Sequence, residues 1–217
     1  MNFICATVLL KDVQEDPIDA FGLSYRTANA VVPNGGGNSE VRLQLLCFNR
    51  DGGKLDAFKA WEPGKRALVS GQLVFSEDFK GPLQLIISTI ETNVPQDMYL
   101  NQVVLGNAFF KDSEVKVRKN NSVACKIGTT LDESDTKSFM FMELHESRQK
   151  KLEDRIRAGR GLCISGYLRE WHKDENDSPY RAIVANDFST RKDSGKRKEK
   201  TTGSAAGYSE VDPTPDY

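Results

Sequence analysis

The 217-residue chain carries 30 Lys/Arg against 31 Asp/Glu, a net charge of −1, with 38% hydrophobic and 28% charged residues. Such a chain has room for one large domain or two of about 100 residues each. The balance excludes a uniformly polybasic nucleic-acid glove, and no apolar run approaches the roughly 20 residues that span a bilayer. The opening MNFIC lacks a basic segment and a long apolar core, so no secretion signal and a cytoplasmic location are expected.

Charge is unevenly placed. Residues 191–200 hold six basic and two acidic side chains, and residues 201–217 hold no basic and three acidic ones. The four cysteines, Cys5, Cys47, Cys125 and Cys163, lie far apart inside apolar runs, and only His145 and His172 could join them as ligands. That is no metal-site spacing, so free thiols buried in strands and no metal or cofactor are expected. Phosphate loops and nucleophile elbows are likewise missing, which argues against an enzyme.

In chain order, the first predicted strand opens at Asn2-Phe3-Ile4. A third strand, residues 40–48, sets Leu43, Leu45 and Cys47 on one face against Arg42, Gln44, Leu46 and Phe48 on the other. A helix is predicted over Lys54–Glu62, with Trp61 at its end as a core residue. GKRALVSGQL (64–73) follows as the fourth strand. Next come Phe75, a polar turn and Pro82, which opens another apolar strand. On this half Phe48, Phe79 and Lys80 are the candidate ligand contacts, to which Tyr25 and Phe75 could add.

Val94-Pro95-Gln96-Asp97 marks a joint, after which the pattern returns. GRGLCISGYL (159–168) matches GKRALVSGQL in two glycines, a serine and a leucine, and Asn101-Gln102-Val103 matches the chain start. In the second copy the predicted strands are about 101–110, 122–130, 138–145, 161–171 and 179–188, with a helix over Arg148–Ala158. Five strands with a helix between the third and fourth is the order of an OB barrel, another small β-barrel being the alternative. The expected fold is therefore all-β: two tandem OB barrels at 1–93 and 99–190, a linker at 94–98, and a disordered tail at 191–217.

On the 138–145 strand, Met140, Met142 and Leu144 alternate with Phe139, Phe141, Glu143 and His145. If the methionines and the leucine point inward, two phenylalanines are left outside, where unpaired bases gain about 1–3 kcal/mol each by stacking. The opposite assignment would bury the rings and give the methionines to a dimer contact. Tyr167, Arg169 and Trp171 share the outer parity of the fourth strand, Lys126 that of the second, and Arg118 and Lys119 occupy the preceding turn. Rings interleaved with cations form a single-strand groove.

At these residues the second half resembles the bacterial single-stranded DNA-binding protein family. NQVVLGN (101–107) is similar to its opening strand and GRGLCISGYLR (159–169) to its glycine-bounded fourth strand. Trp171, then Tyr180 and Arg181 after a polar turn, resembles its tryptophan hairpin. Phe139 falls where the family usually has a stacking tryptophan, and His145 where it usually has a stacking phenylalanine. The likeness covers 99–190 well and 1–92 more loosely, through residues 64–73 and 77–80.

The resemblance implies nonspecific binding and protection of single-stranded DNA in replication, recombination and repair, in a nucleoid-associated cytoplasmic protein. It also implies four OB domains around one strand, hence a homodimer. Phe139, Phe141 and Trp171 would stack bases while Lys126, Arg169 and Arg181 neutralise phosphates. The tail extends the likeness, because an acidic tip with proline and a terminal aromatic docks replication and repair proteins in that family. Here those residues are Glu210, Asp212, Pro213, Pro215, Asp216 and Tyr217. An OB adaptor of primosome type and an RNA-binding OB protein are the alternative functions.

Overall fold

The computed structural model describes residues 2–13, 18–20, 23–33, 40–48, 52–74, 83–118, 121–130, 137–171 and 180–191. Phe75, Phe79, Lys80, Lys119 and the tail from residue 192, with Glu210, Asp212, Pro213, Pro215, Asp216 and Tyr217, lie outside the described residues. The first half contains β1 (Asn2–Val13), β2 (Ile18–Ala20), β3 (Leu23–Val32), β4 (Val41–Phe48), α1 (Gly52–Ala60), β5 (Arg66–Val74) and β6 (Leu83–Glu91). The second contains β7 (Asn101–Phe110), β8 (Lys116–Val117), β9 (Ser122–Thr130), β10 (Lys137–His145), α2 (Gln149–Glu153), β11 (Gly161–Trp171) and β12 (Tyr180–Thr190).

Each half closes on itself. β1 pairs with β3 and β5, β3 with β4, β4 with β6, and β6 with β5. The ring β7–β9–β10–β12–β11–β7 repeats this connectivity, with the parallel contact again between the third and fifth strands. The fold is all-β, with two five-stranded OB barrels and a short helix in the same slot of each. Inward residues such as Ile4, Val8, Leu45, Val69 and Leu85 in one barrel, and Leu105, Ile127, Met142 and Leu168 in the other, are at most 1% exposed. Each contributes about 2 kcal/mol of apolar burial.

The repeated glycines occupy equivalent places. Gly64 and Gly159 have φ of +80° and +75°, a region L side chains rarely adopt, and donate their N–H groups to the Leu10 and Phe110 carbonyls. Gly71 and Gly166 each follow a serine at a β-bulge, where a Cβ would overlap the carbonyl of Ile86 or Val184.

The barrels share one sheet, because β1 pairs antiparallel with β7 and runs β6-β5-β1-β7-β11-β12 together. Ile4, which the repeat matches to Val103, is itself paired with Val103, so a local two-fold passes between them. The Asn2 amide donates to the Leu73 carbonyl, and the Asn101 amide donates to the Leu168 carbonyl at 2.8 Å. The joint is tied down rather than loose: Arg66 donates to the Met98 carbonyl at 2.8 Å, and the Thr7 N–H donates to the Leu100 carbonyl at 2.8 Å.

An ion triad around a buried carboxylate adds a second link, with Arg42 reaching it from the exposed side. Glu170, at 0% exposure, accepts from Arg181 Nε at 2.8 Å and from Arg42 Nε of the other barrel at 2.8 Å. The second-half helix is shorter than the periodicity predicts, one 3-10 turn (Glu146–Arg148) leading into the five residues of α2. The Cys47 and Cys125 thiols are buried, while Cys5 and Cys163 are half-buried. Burial pushes the Cys125 thiol up to about 12, with Asp112 adding to the shift. Among the described residues no helix is long and apolar enough to cross a membrane, and no His/Cys/Asp/Glu group is placed to hold a metal.

Two stability predictions follow from this packing. Gly166→Ala forces the Val184 carbonyl to shift and is expected to lower urea stability by about 2 kcal/mol, as is Gly71→Ala. Arg181→Met leaves the Glu170 carboxylate short of a partner and should lose about 3 kcal/mol. Adding Glu170→Met should recover most of that loss, and a double variant no better than the single would refute the triad's role.

Candidate nucleic-acid interface

The outer face of the second barrel gathers rings and cations from five places in the chain. On β10, Met140, Met142 and Leu144 are at most 2% exposed, whereas Phe139 and Phe141 lie half-buried on the opposite side. β12 brings Tyr180, β11 brings Trp171 and Arg169, β9 brings Lys126, and the turn after β8 brings Arg118. The registers align them: Phe141 stands beside Lys126 and Ala182, Arg169 beside Ala182, and Trp171 beside Tyr180. Ala182 is small and fully buried, which leaves room above it for the larger rings.

The rings form a short stack. Phe141 and Tyr180 lie 4.7 Å apart at 24°, and Tyr180 and Trp171 lie 4.2 Å apart at 41°. Arg118 sits over this group, its guanidinium 3.9 Å from the Tyr180 centroid and 5.6 Å from that of Trp171. Arg169 covers another part of Trp171 at 5.1 Å. Contacts of this kind hold cations near ring faces, each contributing about 0.5–2 kcal/mol.

Beneath Arg118 lies Glu143, which strand alternation places outside but which is only 1% exposed. Arg118 Nε approaches its Oε1 at 3.2 Å without hydrogen-bond geometry, so the contact is chiefly Coulombic. Burial pushes the Glu143 carboxyl above the usual carboxylate range, and Arg118 and Arg169 oppose that shift. Burial also raises the Tyr180 hydroxyl, which makes no hydrogen bond to any described residue.

Other candidate residues are placed differently. Lys126 is part-exposed and 3.8 Å from Asp112, so part of its charge is answered within the protein. Tyr167 is half-buried on outer β11, beside Val184 and one row away from Arg169 and Ala182. Arg181 faces the other way: its side chain is 10% exposed and is committed to Glu170, so it is not placed to meet phosphate on this face. His145 accepts from the Ser147 N–H as the cap of the 3-10 turn. One cation escaped the sequence reading, Lys111, whose ammonium lies 4.0 Å over the Phe139 ring. A lysine just past a strand end gives no signal by itself.

The first barrel offers less. Phe48 contacts Tyr25 at 5.3 Å and 47°, but Gln44 is hydrogen-bonded to Gln84 at 2.8 Å, and Arg42 is engaged with Glu170. Trp61 is core, 3% exposed, its indole N–H donating to the Lys65 carbonyl at 2.9 Å.

No family profile matches the chain, and no curated protein matches it in sequence. Its fold does match solved structures. The wild-type single-stranded DNA binding protein from Thermus aquaticus superposes with a TM-score of 0.63 at 16% identity, covering 96% of this chain and 97% of that one. A deletion mutant of the same protein gives 0.63 at 16%, covering 92% of this chain and 98% of that one. The described residues therefore share the fold of the Thermus aquaticus single-stranded DNA binding protein.

Proposed function

We propose that this protein binds and protects single-stranded DNA without strong sequence preference, in replication, recombination and repair. The observation that carries this reading is the Phe141–Tyr180–Trp171 stack flanked by Arg118 and Arg169 on the open face of the second barrel. Rings accept any base by its π-face, and neighbouring cations draw the phosphates. The fold shared with the Thermus aquaticus protein supports the same reading. The mechanism is passive: a covered strand is shielded from nucleases and from re-annealing, and no bond is made or broken.

The division of labour follows the chemistry of the two outer faces. Residues 99–190 form the stronger binding unit, through Phe139, Phe141, Trp171, Tyr180, Arg118, Arg169 and Lys126, with Lys119 at its edge. Residues 1–93 contribute through Phe48, Phe79 and Lys80, and 94–98 join the two. A second copy of the chain covers the side of the shared sheet away from the cores. There Phe3 and Val104 are paired across the local two-fold, and Val104 is 37% exposed. Residues 191–217 act as a tether whose tip, Glu210 to Tyr217, recruits replication and repair proteins in the nucleoid.

Titration with labelled dT oligomers, with mass in solution measured in parallel, tests this reading. Phe139→Ala with Trp171→Ala should lose about 3 kcal/mol of binding at fixed salt, on the order of a hundredfold in Kd. An unchanged affinity rejects the site. Replacing Arg169 by Met should lower the slope of log Kd against log salt by about 0.7. Removing residues 208–217 should leave dT binding unchanged and end co-purification of replication and repair proteins, whereas equal co-purification would reject the tail's role.

A further inference from the structure

The end of β7 places a ring on the same outer face that no alternation pattern points to. Core residues of this strand are Val103 and Leu105, then Ala108 and Phe110, because an irregularity in its pairing with β11 falls between them. Phe109 is thereby turned outward and half-buried. It is paired with Gly128 on β9, and Gly128 is paired with Phe139 on β10, so the three form one row across the face. The far end of the Phe109 ring lies over Gly128, where a Cβ would overlap Cζ and Cε2. Glycine is what allows the ring to lie there.

The first barrel shows that the backbone does not need this pair. The Leu10 and Phe110 N–H groups donate to equivalent carbonyls, those of Lys65 and Arg160, which fixes the correspondence between the barrels. On that correspondence the row Phe109–Gly128–Phe139 matches Leu9–Val31–Arg42. There an aliphatic pair fills the same space, with Val31 at 4% exposure. The ring and its glycine seat are therefore a feature of the barrel with the aromatic face, not of barrel closure.

The geometry points to Phe109, seated on Gly128, as a further base-stacking residue, carrying the ring surface across β9 to the edge of β7. This inference rests on the single-strand reading above and extends its footprint by one row.

The test writes the first barrel's pair into the second, Phe109→Leu together with Gly128→Val, a combination the fold already accommodates at the equivalent site. Phe109→Leu and Phe109→Tyr alone are measured beside it, with thermal unfolding of each and Phe139→Ala as a reference. Binding to a labelled dT oligomer should weaken about tenfold in the double variant and in Phe109→Leu, and Phe109→Tyr should stay near wild type. Wild-type affinity in a folded Phe109→Leu, while Phe139→Ala binds weakly, overturns the role of Phe109 alone. A wild-type chain that does not bind the oligomer overturns both readings.

Discussion

The antiparallel pairing of β1 with β7 is the constraint on which the rest of the molecule depends. It satisfies backbone groups that would otherwise form an open edge in each barrel, and it does so across a local two-fold through Ile4 and Val103. Because the pairing joins equivalent strands, the two barrels present related faces in related directions. The asparagine clamps at Asn2 and Asn101 repeat on both sides of that axis. Glu170 then breaks the equivalence, drawing Arg42 of one barrel and Arg181 of the other onto one buried carboxylate.

Within that shared frame the two outer faces have diverged. One carries rings in contact with one another and with guanidinium groups. The other carries one ring pair, Tyr25 with Phe48, beside a glutamine pair, Gln44 with Gln84, and an arginine turned toward its neighbour. Inward positions stay apolar in both barrels although their residues differ too, Leu10 of the first being matched by Phe110 of the second. The proposed binding face is thus built on outward positions, which can change without opening the barrel.

Much of this was legible in the residues. The matched glycines disclosed the duplication because each answers a backbone demand, a positive φ or a bulge without space for Cβ, that recurs with the fold. Strand limits in the second half and the inward set Met140, Met142 and Leu144 followed from strict alternation. Alternation placed Glu143 on the outer face, where it lies, but gave no sign of its burial beneath Arg118, far away in sequence. It also gave no sign that Arg181 would be taken by Glu170, which is shared with a residue 128 positions away. Phe109 was hidden for a different reason, since a local irregularity changes the parity of β7 midway and period-two reading fails beyond it.

The way the joint is built has a practical consequence for dissecting the molecule. Cutting between residues 94 and 98 would strip β7 of its neighbour and leave Glu170 without Arg42. A half-molecule prepared in this way would present a bare strand able to recruit the same strand from another fragment, rebuilding the missing partner artificially. Isolated halves would then report on fragment pairing as much as on ligand affinity, so the two faces are better compared by point changes in the intact chain.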